Sequence, residues 1–223
     1  PKECDKVAWI DCDLIFKDDN WIEPIEKLLE KYIAVQLFSF IFYPRINNQK
    51  FDYSFKEKFC FGAAYAFAML GHVAFNEWLR GGPGLPAGAW ACRREVLEKC
   101  GFFDRCIFGS NDNIMMYAIY GVDKMPLLRI ISKQLALERD AWHKHTAPLF
   151  SGSITYLDGY LEHLWHGNMD DRSYVLREKV GQDNDFDPQK DIKINEDGCF
   201  EWASSKENMH REVSAYFTNR KEE

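Results

Sequence analysis

Several things are missing from this sequence, and each absence narrows its class. No run of about 18 or more apolar residues occurs, so nothing in it reads as a membrane span. No secretory leader opens the chain, and the start Pro1-Lys2-Glu3-Cys4 reads as an internal cut. Basic residues are in deficit: 28 Lys and Arg face 35 Asp and Glu, a net charge of −7, which argues against a duplex nucleic-acid binder with its basic face. None of the seven cysteines, Cys4, Cys12, Cys60, Cys92, Cys100, Cys106 and Cys199, forms a CxxC pair, which argues against a cysteine zinc site. Their odd count and apolar neighbours predict reduced thiols, hence a cytoplasmic or viral protein. Internal repeats and low-complexity tracts are absent too.

What is present suffices for a core. The 223 residues are 46% hydrophobic, enough for one domain with a small appendage. Val7 to Ile10 reads as a buried strand ending at Asp11-Cys12-Asp13. Asn20 and Glu23 have the spacing of a capping box, and Ile25, Leu28, Leu29 and Tyr32 recur at helical spacing after it. Ile33 to Tyr43 reads as one strand, and residues 44–57 as a polar loop. This strand–helix–strand order predicts an α/β fold. Phe59 to Phe75 has no assigned type. Arg93 to Cys100 predicts a short helix ended by Gly101, Asn111 to Tyr120 a second one before Gly121, and Ile154 to Leu157 a strand. Residues 181–198 read as a solvated loop, and Trp202 to Glu223 as a helical tail. The expected division is a catalytic portion over 1–180 and a polar loop with helical tail over 181–223.

Three groups of residues could carry chemistry. Asp11 and Asp13 lie two apart at the carboxyl end of an apolar strand, where open α/β sheets bind ligands. Paired carboxylates there suit a hard divalent cation that also takes diphosphate oxygens. The pattern equally admits solvated carboxylates, and the acidic Asp183-x-Asp185 and Asp185-x-Asp187 repeat it without a preceding strand. Asp112 stands where a helix begins, so it is either a carboxylate held ionised for proton transfer or, like Asn111, a helix cap. His163-Leu164-Trp165-His166-Gly167 offers imidazoles to complete a metal site, or core residues around Trp165; His143 and His145 lie upstream in a less ordered context.

Together these segments resemble the GT-A glycosyltransferases. Trp9-Ile10-Asp11-Cys12-Asp13 resembles their DxD strand end. Gly88-Ala89-Trp90-Ala91-Cys92-Arg93-Arg94 is similar to the small-residue segment and helix of the galactosyltransferase-like C-terminal region. Phe103-Asp104 with Gly109-Ser110-Asn111-Asp112 resembles the glycine-acidic segment before a helix. Leu157 to Gly167 is similar to the His-Leu-Trp-His-Gly signature of family-2-like bacterial, phage and giant-virus transferases.

The resemblance implies a GT-A-like, Rossmann-like mixed sheet flanked by helices, lacking the N-terminal nucleoside-binding half, which upstream sequence would supply. It implies metal-dependent, inverting transfer of a hexose from a nucleoside diphosphate sugar, a UDP-sugar first among them, to a glycan or other hydroxyl acceptor. In that reading Mn²⁺ or Mg²⁺ is held by Asp11, Asp13 and His166, and Asp112 is the base. Gly88 and Ala89 let backbone approach the sugars, and Trp90 and Trp165 pack on sugar faces. The rival expectation is a non-catalytic carbohydrate-binding or structural remnant of the same fold.

Overall fold

The computed structural model describes residues 3–47, 50–78, 84–121, 131–150, 152–165 and 174–219. In chain order its elements are β1 (Lys6–Ile10), β2 (Leu14–Phe16), α1 (Ile22–Lys31), β3 (Ala34–Gln36), β4 (Phe40–Asn47), β5 (Lys50–Gly62), α2 (Ala63–Trp78), β6 (Gly84–Leu85) and β7 (Ala89–Arg93). There follow α3 (Arg94–Cys100), α4 (Asn111–Ile119), α5 (Lys133–Phe150), β8 (Ile154–Tyr156), β9 (Tyr160–His163), α6 (Tyr174–Asp183), β10 (Ile192–Ile194), β11 (Phe200–Trp202) and α7 (Glu207–Asn219). No helix among the described residues is long and apolar enough to cross a membrane.

The fold is mixed α/β. One sheet has the order β1-β7-β3-β8, with β7 antiparallel to both neighbours and β3 parallel to β8. A second has the order β2-β9-β4-β5-β6, and β10 with β11 forms a hairpin. Alternation along β7 sends its residues to two different cores. Ala89 and Ala91 join Val35, Phe38, Ile41 and the Ile25 and Leu29 stripe of α1. Trp90 and Cys92 join Ala63, Met116, Ile119 and Phe150 from α2, α4 and α5. The sheet therefore lies between two helical layers, and the bend from β1 into β2 carries the chain from the first sheet to the second.

Several local expectations need correction. The stretch from 33 to 43 makes two strands, because Leu37 to Ser39 leaves the first sheet before β4 begins in the second. Of the expected loop over 44–57, residues 44–47 and 50–57 are instead paired strand in β4 and β5, and 48–49 lie outside the described residues. Asn20 does not cap α1: Trp21 occupies that position without a side-chain cap, and the Asn20 N–H instead donates to Asp18 Oδ1 at 2.8 Å.

The 181–198 stretch also differs. It contains fully buried Phe186, and Ile192 begins a strand. Both belong to a third core with Phe103, Phe108, Ile114, Leu135 and Met209. That core joins both sides of residue 180, and α6 itself runs across it. Buried Asp191 is satisfied there by Lys206 at 2.8 Å and by the Asp187 N–H at 2.7 Å. All seven cysteines are free thiols, and burial pushes Cys92 and Cys106 up to about 12.

Candidate functional site

The site grows out of one antiparallel pairing. Trp9 of β1 lies directly opposite Trp90 of β7, and two residues further along Asp11 N–H donates to the Gly88 carbonyl at 2.8 Å. With a side-chain period of two, Trp9 and Asp11 share a face with Trp90. Helix α4 covers that face with Asp112, Met115, Met116 and Ile119, the one-sided spacing of a helix. Between sheet and helix lies a cavity of about 140 Å³, lined by these residues and by Pro86, Ala87, Gly88 and Phe102.

The two indoles stack, 6.5 Å apart and 11° from parallel, and Phe102 meets Trp9 edge-on at 5.2 Å. Trp90 is buried, and its indole N–H donates to the Pro86 carbonyl at 2.8 Å.

Gly88 fixes the first carboxylate. Its N–H donates to Asp11 Oδ2 at 3.2 Å, from a backbone held at φ 101°. A Cβ there would stand 3.0 Å from the Phe38 ring, so glycine is required on both counts. The Leu85 and Ala87 carbonyls just before it receive the side-chain N–H groups of fully buried Gln36 at 3.1 and 3.4 Å. Gln36 in turn accepts the Ala64 N–H at 2.7 Å.

Asp11 is exposed as a residue, yet its carboxyl is backed by packed protein. That desolvation raises its pKa first; Asp13 raises it next, the Gly88 N–H opposes, and Asp112 adds a smaller upward push. Asp11 thus feels both of the other carboxylates.

Asp13 sits in the bend after β1, where it is half-buried. Its carbonyl accepts the Leu164 N–H at 2.7 Å, which brings the end of β9 beside it. His163 Nε2 then faces Asp13 Oδ2 at 3.7 Å. Nδ1 of the same ring lies 2.6 Å from the Leu164 carbonyl, which only accepts, so Nδ1 carries a proton and Nε2 is the nitrogen turned toward Asp13. Tyr43 stacks on the imidazole at 4.9 Å.

Asp112 stands in the first turn of α4 but does not cap it. The cap position is Ser110, in the left-handed region at φ 73°, and the Asn111 side chain turns back to the Cys106 backbone. The Ser110 hydroxyl donates to buried Glu178 of α6, which braces the start of the helix.

Of the residues singled out in the sequence, the fold brings Asp11, Gly88, Trp90 and Asp112 around one cavity, with Asp13 within electrostatic reach of Asp11. Ala89 is fully buried on the opposite face of β7. Trp165 follows β9, half-buried, and is not part of the cavity lining. His166 lies outside the described residues. His143 and His145 belong to α5, where His145 Nε2 contacts the Lys99 carbonyl at 3.0 Å.

Sequence reasoning missed Trp9, Phe102 and Met115 as cavity walls, Gln36 as a brace, and the pairing of His163 with Asp13. Only Trp9, two residues before Asp11 on the same strand, carried a usable signal. Among the described residues, no group of three or more His, Cys, Asp or Glu side chains is gathered closely enough to hold a metal ion by itself.

No protein-family model matches the chain, nor does any curated protein or solved structure.

Proposed function

We propose that the chain binds metal and acceptor as a GT-A-type glycosyltransferase that moves a hexose from a nucleoside diphosphate sugar, a UDP-sugar first among them, to a hydroxyl acceptor with inversion. The observation that carries this reading is the convergence of Asp11, Gly88, Trp90 and Asp112 on one cavity at the carboxyl end of β1, with Asp13 and His163 beside it.

The donor set fits a divalent cation shared with the substrate. Asp13 raises the cost of ionising Asp11, which a nearby cation would relieve; Asp11 and Asp13 would hold that cation as oxygen ligands, with the substrate's diphosphate as its further partner. The His163 ring has the arrangement usual for a ligand or its neighbour, with one nitrogen donating to a backbone carbonyl and the other turned to a carboxylate. His166, three residues on, is the further candidate ligand. When bound, Mn²⁺ or Mg²⁺ offsets the charge that develops on the leaving diphosphate.

The remaining chemistry belongs to the chain. Gly88 holds the Asp11 carboxylate in position through its N–H. Asp112, in the first turn of α4, is favoured as an ionised carboxylate by the helix N-terminus. It takes the proton of the acceptor hydroxyl while that oxygen bonds to the anomeric carbon. The bond from that carbon to the diphosphate oxygen breaks, and its electron pair leaves with the diphosphate.

The test is a calorimetric titration with Mn²⁺ and UDP, alone and together. The parent is expected to bind the two in a coupled fashion, and Asp13→Ala to lose that coupling with its thermal midpoint kept. An Asp13→Ala protein that binds Mn²⁺–UDP as the parent does overturns the metal site. A parent that binds neither favours the non-catalytic carbohydrate-binding reading.

A further inference from the structure

The walls of the cavity are chemically one-sided. Trp9, Trp90, Phe102, Met115, Met116 and Ile119 make it apolar, and among the described residues its only ionisable lining groups are Asp11 and Asp112. No Lys, Arg or His among the described residues lines it. Asp13 adds its negative charge from just outside, since it acts on the Asp11 carboxyl. The space is small: about 140 Å³, well under the roughly 300 Å³ at which drug-sized ligand pockets begin, so it holds one ring and not a chain of them.

The polar capacity of the aromatic walls is limited as well. Trp90 has its N–H engaged by the Pro86 carbonyl, so it offers apolar surface alone. Half-exposed Phe102 stands edge-on to Trp9 in the lining. A ligand that satisfies such walls presents carbon-bound hydrogens to the aromatic surfaces and hydroxyls to the two carboxylates, which only accept.

We propose that this cavity is the acceptor subsite and that it selects an uncharged six-membered sugar ring, apolar face on Trp9 and hydroxyl toward Asp112, while rejecting rings that bear a carboxylate, sulfate or phosphate. The assignment of the ring as acceptor rests on the glycosyltransferase reading. The selectivity itself does not, because it follows from lining and charge. Without metal, an anionic ring brings a further negative charge to a wall that carries the Asp11 and Asp112 carboxylates, with Asp13 beside them and, among the described residues, no Lys, Arg or His to receive it.

The experiment uses the whole chain without metal or nucleotide, so its outcome is independent of Mn²⁺–UDP binding. The probes are methyl glycosides of glucose, galactose and mannose, with the corresponding methyl uronides, followed by saturation-transfer NMR at neutral pH. At least one uncharged glycoside is expected to receive saturation through its ring protons, and its uronide to bind at least about tenfold more weakly. Trp9→Ala should weaken the uncharged glycoside about tenfold or more, while Trp9→Phe stays within about threefold, since a ring face is kept. Asp112→Asn should narrow the gap between glycoside and uronide.

Thermal melts check that each variant is folded. Should Trp9→Ala fail to fold, Asp112→Asn and the parent selectivity still decide. Equal binding of glycoside and uronide overturns the proposal, as does the absence of saturation transfer from every uncharged glycoside. Retained affinity in a folded Trp9→Ala overturns it too.

Discussion

The two faces of β7 are built for opposite ends. On one, Ala89 and Ala91 are closed over by Val35, Phe38, Ile41 and α1 with no space left. On the other, Trp90 shares its face with Trp9 and Asp11 across the strand pair, and α4 stands off far enough to leave a cavity with two carboxylates on its wall. The closed face is what close packing produces when every residue is apolar. The open face keeps space and mutually repelling charges, which lower stability and make sense only if something enters. A single strand thus has one face packed shut and another that shares its core with a cavity.

Asp112→Asn breaks the comparison on the open side, and its effect should be the largest. In a preparation that transfers sugar, turnover should fall about 10²- to 10⁴-fold, the usual contribution of a general base. The thermal midpoint should hardly move, because the cap position is Ser110 and not Asp112. A variant within about threefold of parent turnover removes Asp112 from the mechanism.

Gly88→Ala breaks it from the closed side. The added Cβ would meet the Phe38 ring at 3.0 Å and Ile41 Cδ1 at 3.2 Å, on a backbone at φ 101°. The cost should be about 2–4 kcal/mol, from overpacking together with backbone strain. Chemical denaturation measures it, and a cost under about 0.5 kcal/mol would show that the closed face yields more than its packing implies.

Asp11→Asn sharpens the comparison with the smallest effect. Burial, then Asp13, raises the Asp11 pKa above its ordinary 3.8. A carboxyl raised on folding contributes stability below its unfolded value and loses it as pH climbs through the folded value. At neutral pH the ionised group is therefore a burden, and replacing it should raise the midpoint by about 1–3 °C. The gain should shrink as pH falls toward the ordinary value of 3.8 and vanish well below it, where the parent carboxyl is protonated in both states. Melting curves at pH 7 and pH 3.5 test the sign; a midpoint that falls at pH 7 contradicts it.

Where local chemistry decides structure, the sequence was legible. The apolar run before Asp11, the helix ended by Gly101, the helix that starts before Asp112, and the strand at Ile154 all sit where their periodicity and caps put them. Legibility failed where distant pairing decides. Phe51, Tyr53, Phe55 and Phe59 alternate with polar neighbours, a period-two signal hidden by the polar residues between them. Phe186 and Ile192 reach a core although Asp, Asn and Gly surround them, because α7 supplies Met209 from elsewhere in the chain. Asp11 and Asp112 could each be nominated from the sequence, but nothing local told that they share a cavity. That depends on the register of β1 against β7, which sets Trp9 against Trp90 and carries the site's geometry.

The strand that carries Trp9 and leads into Asp11 is an outer one: among the described residues β1 pairs only with β7. Outer strands open locally at lower free energy than central ones, exchanging their amide hydrogens without unfolding the rest. Opening of β1 would withdraw the aromatic wall and displace the first carboxylate together, so site integrity and strand closure are one equilibrium. Any occupant that touches both thereby also holds the edge of the sheet shut, and its affinity is reduced by the fraction of time the strand is open.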